Sequence, residues 1–113
     1  MNFSYAVNSG GGRLALPRTK NEQRRLLKKR AVNREEIRRA VAQAIVTLRK
    51  RVGVSQEALA LYSDVDRSYM SQIERGLRSP TIEILVKLLS TLGISFTQLA
   101  AEFDKCLAAA KTK

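Results

Sequence analysis

Between Asn33 and Ala110 the chain is punctuated at short intervals by residues that cap or stop helices, and this spacing leaves room only for a series of short helices. Asn33 with Glu36 has capping-box spacing, and Ile37, Val41, Ala44, Leu48 and Val52 then recur as one buried helical stripe that Gly53 ends. Ser55 can cap a second helix to about Tyr62, with Leu59 and Ala60 on its inner side. Ser63, Asp64 and Val65 form a tight turn. Asp66 can cap a third helix that stops before Gly76, with Met70 and Ile73 inward. Ser79-Pro80 predicts a fourth helix with Pro in its first position, an apolar face of Ile82, Leu85, Val86, Leu88 and Leu89, and a stop at Gly93. Ser95 with Gln98 opens a fifth, through Phe96, Leu99, Ala100 and Phe103 toward Ala110. No strand and no internal repeat is legible.

A chain of 113 residues is one small domain and at most an arm. Its 44% apolar residues can form a core, and 5% aromatics without Trp make that core one of Leu, Ile, Val and Ala, so the expected fold is all-α. The expected division is a basic arm over 1–32, flexible or conditionally helical, and a folded domain over 33–110. Gly10-Gly11-Gly12 and Pro17 lie in that arm, and residues 21–32 have helix propensity with only a narrow apolar face.

The net charge of +11 calls for a polyanionic partner, nucleic acid or an anionic membrane surface. The excess is uneven: residues 1–34 hold nine Lys or Arg and one acid, Glu22, whereas residues 35–113 hold twelve basic and nine acidic residues. Without histidine there is no imidazole acid–base chemistry, and the lone Cys106, read as a small helix filler, cannot build a thiolate metal cage or an intramolecular disulfide. No enzyme activity, cofactor or metal is expected, and a single cysteine fits a reducing, cytoplasmic setting. No run of 18 apolar residues and no hydrophobic leader is present, so no membrane association is expected.

Over about residues 36–103 the chain resembles the Cro and phage-repressor (XRE-type) helix-turn-helix family. The resemblance is carried by Leu48-Arg49, Ser55-Gln56-Glu57, Leu59-Ala60, Ile73-Glu74-Arg75-Gly76, Pro80-Thr81 and Leu92-Gly93-Ile94-Ser95. Asp66-Arg67-Ser68-Tyr69, with Ile73-Glu74-Arg75 and Arg78, looks most like the restriction–modification controller proteins within it. The resemblance implies a five-helix repressor-like DNA-binding domain and a sequence-specific transcriptional regulator acting as a homodimer on a palindromic operator in double-stranded DNA. It also implies that Arg49 and Glu74 pair structurally, tying the first helix to the recognition helix. Where the family has Gly in the turn this chain has Asp64, which tolerates left-handed backbone less well, so a strained or altered turn is expected.

The residues supply the mechanics. If Asp66 caps the third helix, Arg67, Ser68 and Tyr69 occupy its first turn, and Ser71, Gln72 and Arg75 lie on its outward side. Arg67 suits guanine O6 and N7, Gln72 suits adenine N6 and N7, and Ser68 and Tyr69 can bond bases or phosphates, so these four are the candidate base contacts. Tyr69 can equally pack on the core. Such polar residues on a lone helix would read as a solvated face, but the turn spacing and the Glu-Arg-Gly that follows favour DNA contact. Gln56, Ser71, Arg75, Arg78 and Thr81 are the candidate backbone contacts, with Arg78 alternatively in the minor groove. Glu57 and Glu83 read as first-turn acids that complement helix dipoles.

Arg24, Arg25, Lys28, Lys29 and Arg30 form a basic arm that could track phosphates or serve only as a solubilising tail. Ile94, Phe96, Leu99 and Phe103 are candidates for the dimer surface, with packing inside one chain as the competing role. A different class of function stays open beside the regulator: an antitoxin-like or bridging adaptor that docks a protein and grips RNA or DNA through the arm.

Overall fold

The computed structural model describes residues 19–111, and the glycine-rich stretch of the expected arm, 1–18, lies outside them. The described residues form six helices: α1 (Lys20–Arg30), α2 (Arg34–Val52), α3 (Gln56–Tyr62), α4 (Arg67–Glu74), α5 (Ile82–Leu92) and α6 (Phe96–Lys111). No strand occurs among them. The chain divides into two units, Met1–Ala31, which contains α1, and Val32–Lys113, which contains the five-helix domain.

Local chemistry sets the helix starts. Asn33 and Glu36 close a reciprocal capping box on α2, with Glu36 N–H donating to Asn33 Oδ1 at 2.8 Å and Asn33 N–H to Glu36 Oε1 at 3.2 Å. Ser55 accepts from Ala58 N–H on α3, Asp66 from Tyr69 N–H on α4, and Ser95 and Gln98 close a second box on α6. The start of α5 departs from the sequence expectation. Thr81 in extended backbone is the cap, its hydroxyl accepting from Ile84 N–H at 3.2 Å, so Pro80 precedes the cap instead of occupying the first helical position. Proline disfavours helical backbone at the residue before it, and the threonine hydroxyl two residues into Ser-Pro-Thr supplies the stronger start.

Four helix ends share one solution. Gly53, Asp64, Gly76 and Gly93 all have positive φ, and each is followed by an apolar residue whose N–H reaches back five residues: Val54 to Arg49 O, Val65 to Ala60 O, Leu77 to Gln72 O and Ile94 to Leu89 O. These are Schellman ends, which satisfy carbonyls otherwise left unpaired at a helix terminus. The turn between α3 and α4 is therefore an ordinary end of this kind carrying Asp64, φ 57°, where the other three carry glycine. At Gly76 the need is for the left-handed backbone alone, φ 75°, because a Cβ there would make only an ordinary contact with Arg39 Cγ at 3.5 Å.

α2 packs chiefly against α6 and α4, and α3 against α4 and α5. Leu59, Met70, Ile73 and Leu88 are fully buried at the centre, with Ile45, Leu48, Leu85, Leu89 and Leu92 around them. The buried face of α2 is rotated from the expected stripe. Ala40, Ala42, Ala44, Ile45 and Leu48 are inside, Ile37 and Val41 are half-buried, and Val52 is exposed, since small alanines admit the close approach of neighbouring helices. On α5, Leu85, Leu88, Leu89 and Leu92 are buried, but Ile82 and Val86 are 62% and 48% exposed on the adjoining edge. The one buried polar residue of the described core, Ser63, donates to Thr91 Oγ1 at 2.8 Å and so joins the end of α3 to α5. No single described helix is long and apolar enough to cross a membrane.

Asp64 carries a backbone conformation that L-residues pay roughly 1–2 kcal/mol to adopt, less for Asp than for most. Asp64→Gly is expected to raise the unfolding free energy by about 0.5–1 kcal/mol, and Asp64→Val to lower it by at least about 1 kcal/mol, both read from urea midpoints.

Candidate nucleic-acid interface

α4 has only eight residues, too few to be helical alone, so its surroundings hold it. Met70 and Ile73 are wholly buried on one side. At its N-terminus Asp66 Oδ2 accepts from Tyr69 N–H at 3.0 Å. At its C-terminus Glu74 receives a fork from Arg49, Nε to Oε2 at 2.6 Å and Nη2 to Oε1 at 2.9 Å. The third guanidinium nitrogen of Arg49, Nη1, donates to Val54 O at 2.9 Å, fixing the fork to the α2–α3 turn. Both side chains are nearly dry, 11% and 5% exposed, a setting in which hydrogen bonds to every part of the pair are needed to offset desolvation.

Gln56, at the start of α3, completes this network. Its Nε2 donates to Glu74 Oε1 at 3.0 Å, so the amide is committed to the buried pair, leaving its remaining N–H and its carbonyl for other partners. The first turns of α3 and α4 are also linked: Arg67 Nη2 lies 2.7 Å from Glu57 Oε2, with both side chains well exposed. An exposed pair of this sort is worth about 0–1 kcal/mol, which orients the guanidinium without locking it. Glu57 thus does more than complement a dipole, and only the folded geometry reveals its partner.

The other candidates fall as follows. Ser68, Arg75, Arg78 and Thr81 are exposed, whereas Tyr69, Ser71 and Gln72 are half-buried. Tyr69 packs partly on the core, and Arg78 Cζ sits 5.8 Å from its ring centroid, within cation–π range. The Thr81 hydroxyl accepts its capping bond and still has its own proton to donate. On α6 and the turn before it the expected dimer residues separate. Leu99 is buried in the core, Ile94 and Phe103 pack partly against it, and Phe96 is 48% exposed. Leu99 is therefore internal, because the contact of α6 with α2 uses that face. The arm residues Arg24, Arg25, Lys28, Lys29 and Arg30 are all exposed on α1.

No cluster of three or more metal-ligating side chains exists among the described residues. Burial pushes the Cys106 thiol above its ordinary pKa, Glu102 adds to this and Lys105 opposes it, so the group stays a protonated thiol at neutral pH.

Removing one partner of the dry pair strands the other charge. Arg49→Ala is expected to cost about 3–5 kcal/mol in chemical unfolding. Arg49→Lys should recover only part of that, since an ammonium cannot reproduce the fork to Glu74 or the bond to Val54 O.

Residues 45–99 match the helix-turn-helix family. The chain is 33% identical over 70 residues to the uncharacterized HTH-type transcriptional regulator y4dJ of Sinorhizobium fredii, covering 62% of this chain and 91% of that one. Among solved structures it is similar to the restriction–modification controller protein C.AhdI of Aeromonas hydrophila, with 37% identity, 55% of this chain and 94% of that chain covered, and a TM-score of 0.53. It is also similar to the controller protein C.Esp1396I, solved as a tetramer in complex with its natural 35 base-pair operator, with 32% identity, 64% and 95% covered, and a TM-score of 0.59. The chain belongs to the XRE-type helix-turn-helix family of DNA-binding transcriptional regulators.

Proposed function

We propose that the protein binds a palindromic operator as a homodimer, with the N-terminal turn of α4 in the major groove of each half-site. The observation that carries this is the one-sided fixing of α4. Its inner face is fully buried at Met70 and Ile73, both ends are held by carboxylates, and Arg67 and Ser68 are left exposed at the end that would meet base edges. Arg67 reads guanine, exchanging its weak bond to Glu57 for a bidentate pair. Gln72, one turn beyond Ser68, and Tyr69 contact bases at the edge of the footprint. Ser71, Arg75, Arg78 and Thr81 set the register on phosphates, and Gln56 adds its remaining N–H from the start of α3.

One such helix spans too few base pairs for tight binding, so two protomers are needed, with half-sites about 34 Å apart or a multiple of that. Ile82 and Val86 on α5 and Phe96 on α6 are solvent-exposed apolar side chains suited to the partner copy, and Ile94 and Phe103 are partly buried against the core. The controller protein C.Esp1396I is described as a tetramer on its operator, which favours self-association of this chain as well.

Selection of bound sequences from a random DNA pool is expected to return a two-fold symmetric site, and recovery of no consensus would sink the proposal. Within that site, Arg67→Ala should weaken binding by roughly 1–3 kcal/mol and relax the preference for guanine at one position per half-site. Arg78→Ala should instead weaken all sequences about equally. For the dimer, Val86→Asp is expected to shift sedimentation equilibrium to monomer with an unchanged helical spectrum. A dimer that persists in both Val86→Asp and Phe96→Asp would place the interface elsewhere.

A further inference from the structure

α1 contributes no buried residue to any core, yet its N-terminus carries a capping box: Glu22 N–H donates to Thr19 Oγ1 at 3.0 Å, and Thr19 N–H to Glu22 Oε1 at 3.2 Å. Six of its eleven residues are cationic, Lys20, Arg24, Arg25, Lys28, Lys29 and Arg30. At 100° per residue, Lys20, Arg24 and Lys28 form one row and Arg25 and Lys29 a second beside it, with no apolar residue in the arc between. No ion pair joins any of the six to a described carboxylate. The first row spans about 12 Å, a length over which duplex DNA carries about seven phosphates.

Such a helix is poorly stable by itself. Eleven residues are marginal in water, and the i,i+4 pairs Lys20–Arg24, Arg24–Lys28 and Arg25–Lys29 set like charges side by side. A line of phosphates removes that repulsion. A membrane surface fits less well, because an interfacial helix needs a broad apolar face, and α1 has only Leu26 and Leu27, about 100° apart and without an aromatic residue. In sequence only residues 31–33 separate α1 from α2, so a duplex bound by one is presented to the other at high local concentration.

We infer that α1 is a second, sequence-independent DNA contact, a phosphate-tracking helix whose folding is coupled to duplex binding. This extends the reading of the chain as a DNA binder but does not depend on which bases α4 recognises. Its five aligned cations displace counterions from the duplex, and the helix they disfavour in free protein becomes the stable form on DNA.

The test uses the full chain with Lys20, Arg24, Arg25, Lys28 and Lys29 all changed to Gln, which keeps helix propensity and touches no core residue. Affinity for a random-sequence DNA duplex is measured against salt, alongside single-stranded RNA and phosphatidylserine vesicles. The expected result is a slope of log affinity against log salt shallower by roughly 3 to 4.5, at about 0.9 per phosphate, with an unchanged thermal transition. In the unmodified protein, amide exchange over residues 20–30 is expected to slow when the duplex is added. An unchanged slope, or a loss confined to RNA or to vesicles, overturns the inference, and exchange that does not slow overturns the coupling. A wrong assignment of α4 would instead show as a missing operator footprint in both proteins, with the difference in salt slope intact.

Discussion

The forked pair between Arg49 and Glu74 determines whether the rest of the site exists. It joins the last turn of α2 to the last residue of α4, takes in the α2–α3 turn through Val54 O and receives Gln56 from α3, so three helices meet in one buried polar network. Burying two charges costs free energy unless each is well bonded, and an apolar pair of the same volume could be as stable. What the apolar pair lacks is direction. A bidentate fork fixes the azimuth of a short helix that two buried side chains alone would allow to rock. For a helix whose opposite side is proposed to meet a groove, that orientation matters more than the net energy of the pair.

The same economy of short-range devices runs through the backbone. Every helix in the five-helix domain begins at a side-chain oxygen, and four of the five end or are followed by a left-handed residue that closes a Schellman turn. Because these rules are local, the sequence exposed most of them: Asn33 with Glu36, Ser55, Asp66, Gly53, Gly76, Gly93, and Ser95 with Gln98. Pro80 was misleading because Ser-Pro-Thr contains two admissible starts, and only the extended backbone at Thr81 decides between them. Hydrophobic period located the faces but not their width. It could not tell that Ile82 and Val86 lie past the edge of the buried arc on α5, or that alanines carry the close contacts of α2.

Side-chain partners were less legible than backbone. The positions of Arg67 and Ser68 on an outward turn follow from the cap at Asp66 and the inward Met70 and Ile73. That Gln56 turns toward Glu74 and that Glu57 holds Arg67 could not follow, because both depend on distances between α3 and α4, not on either helix alone. Leu99 illustrates the converse. Its apolar character suited an intermolecular surface as well as a core, and only the packing of α6 on α2 assigns it inward.

These partners also resolve a difficulty in the charge distribution. Residues 55–78 contain four acids and three arginines, a poor balance for a surface that meets phosphates. Three of the acids are engaged within the fold: Glu74 with Arg49, Asp66 as the cap of α4, and Glu57 with Arg67. Arg75 and Arg78, by contrast, are exposed and form no ion pair with a described carboxylate. Asp64 remains the one exposed acid without such a role, and it lies in the turn, three residues before Arg67. The field presented outward is therefore more positive than the formal count, although still modest. A reader of sequence benefits from that modesty, since strong phosphate attraction raises affinity for every sequence alike. With the surplus charge placed on α1, α4 can remain near neutral, so the base discrimination proposed for it would not be submerged in attraction common to all DNA.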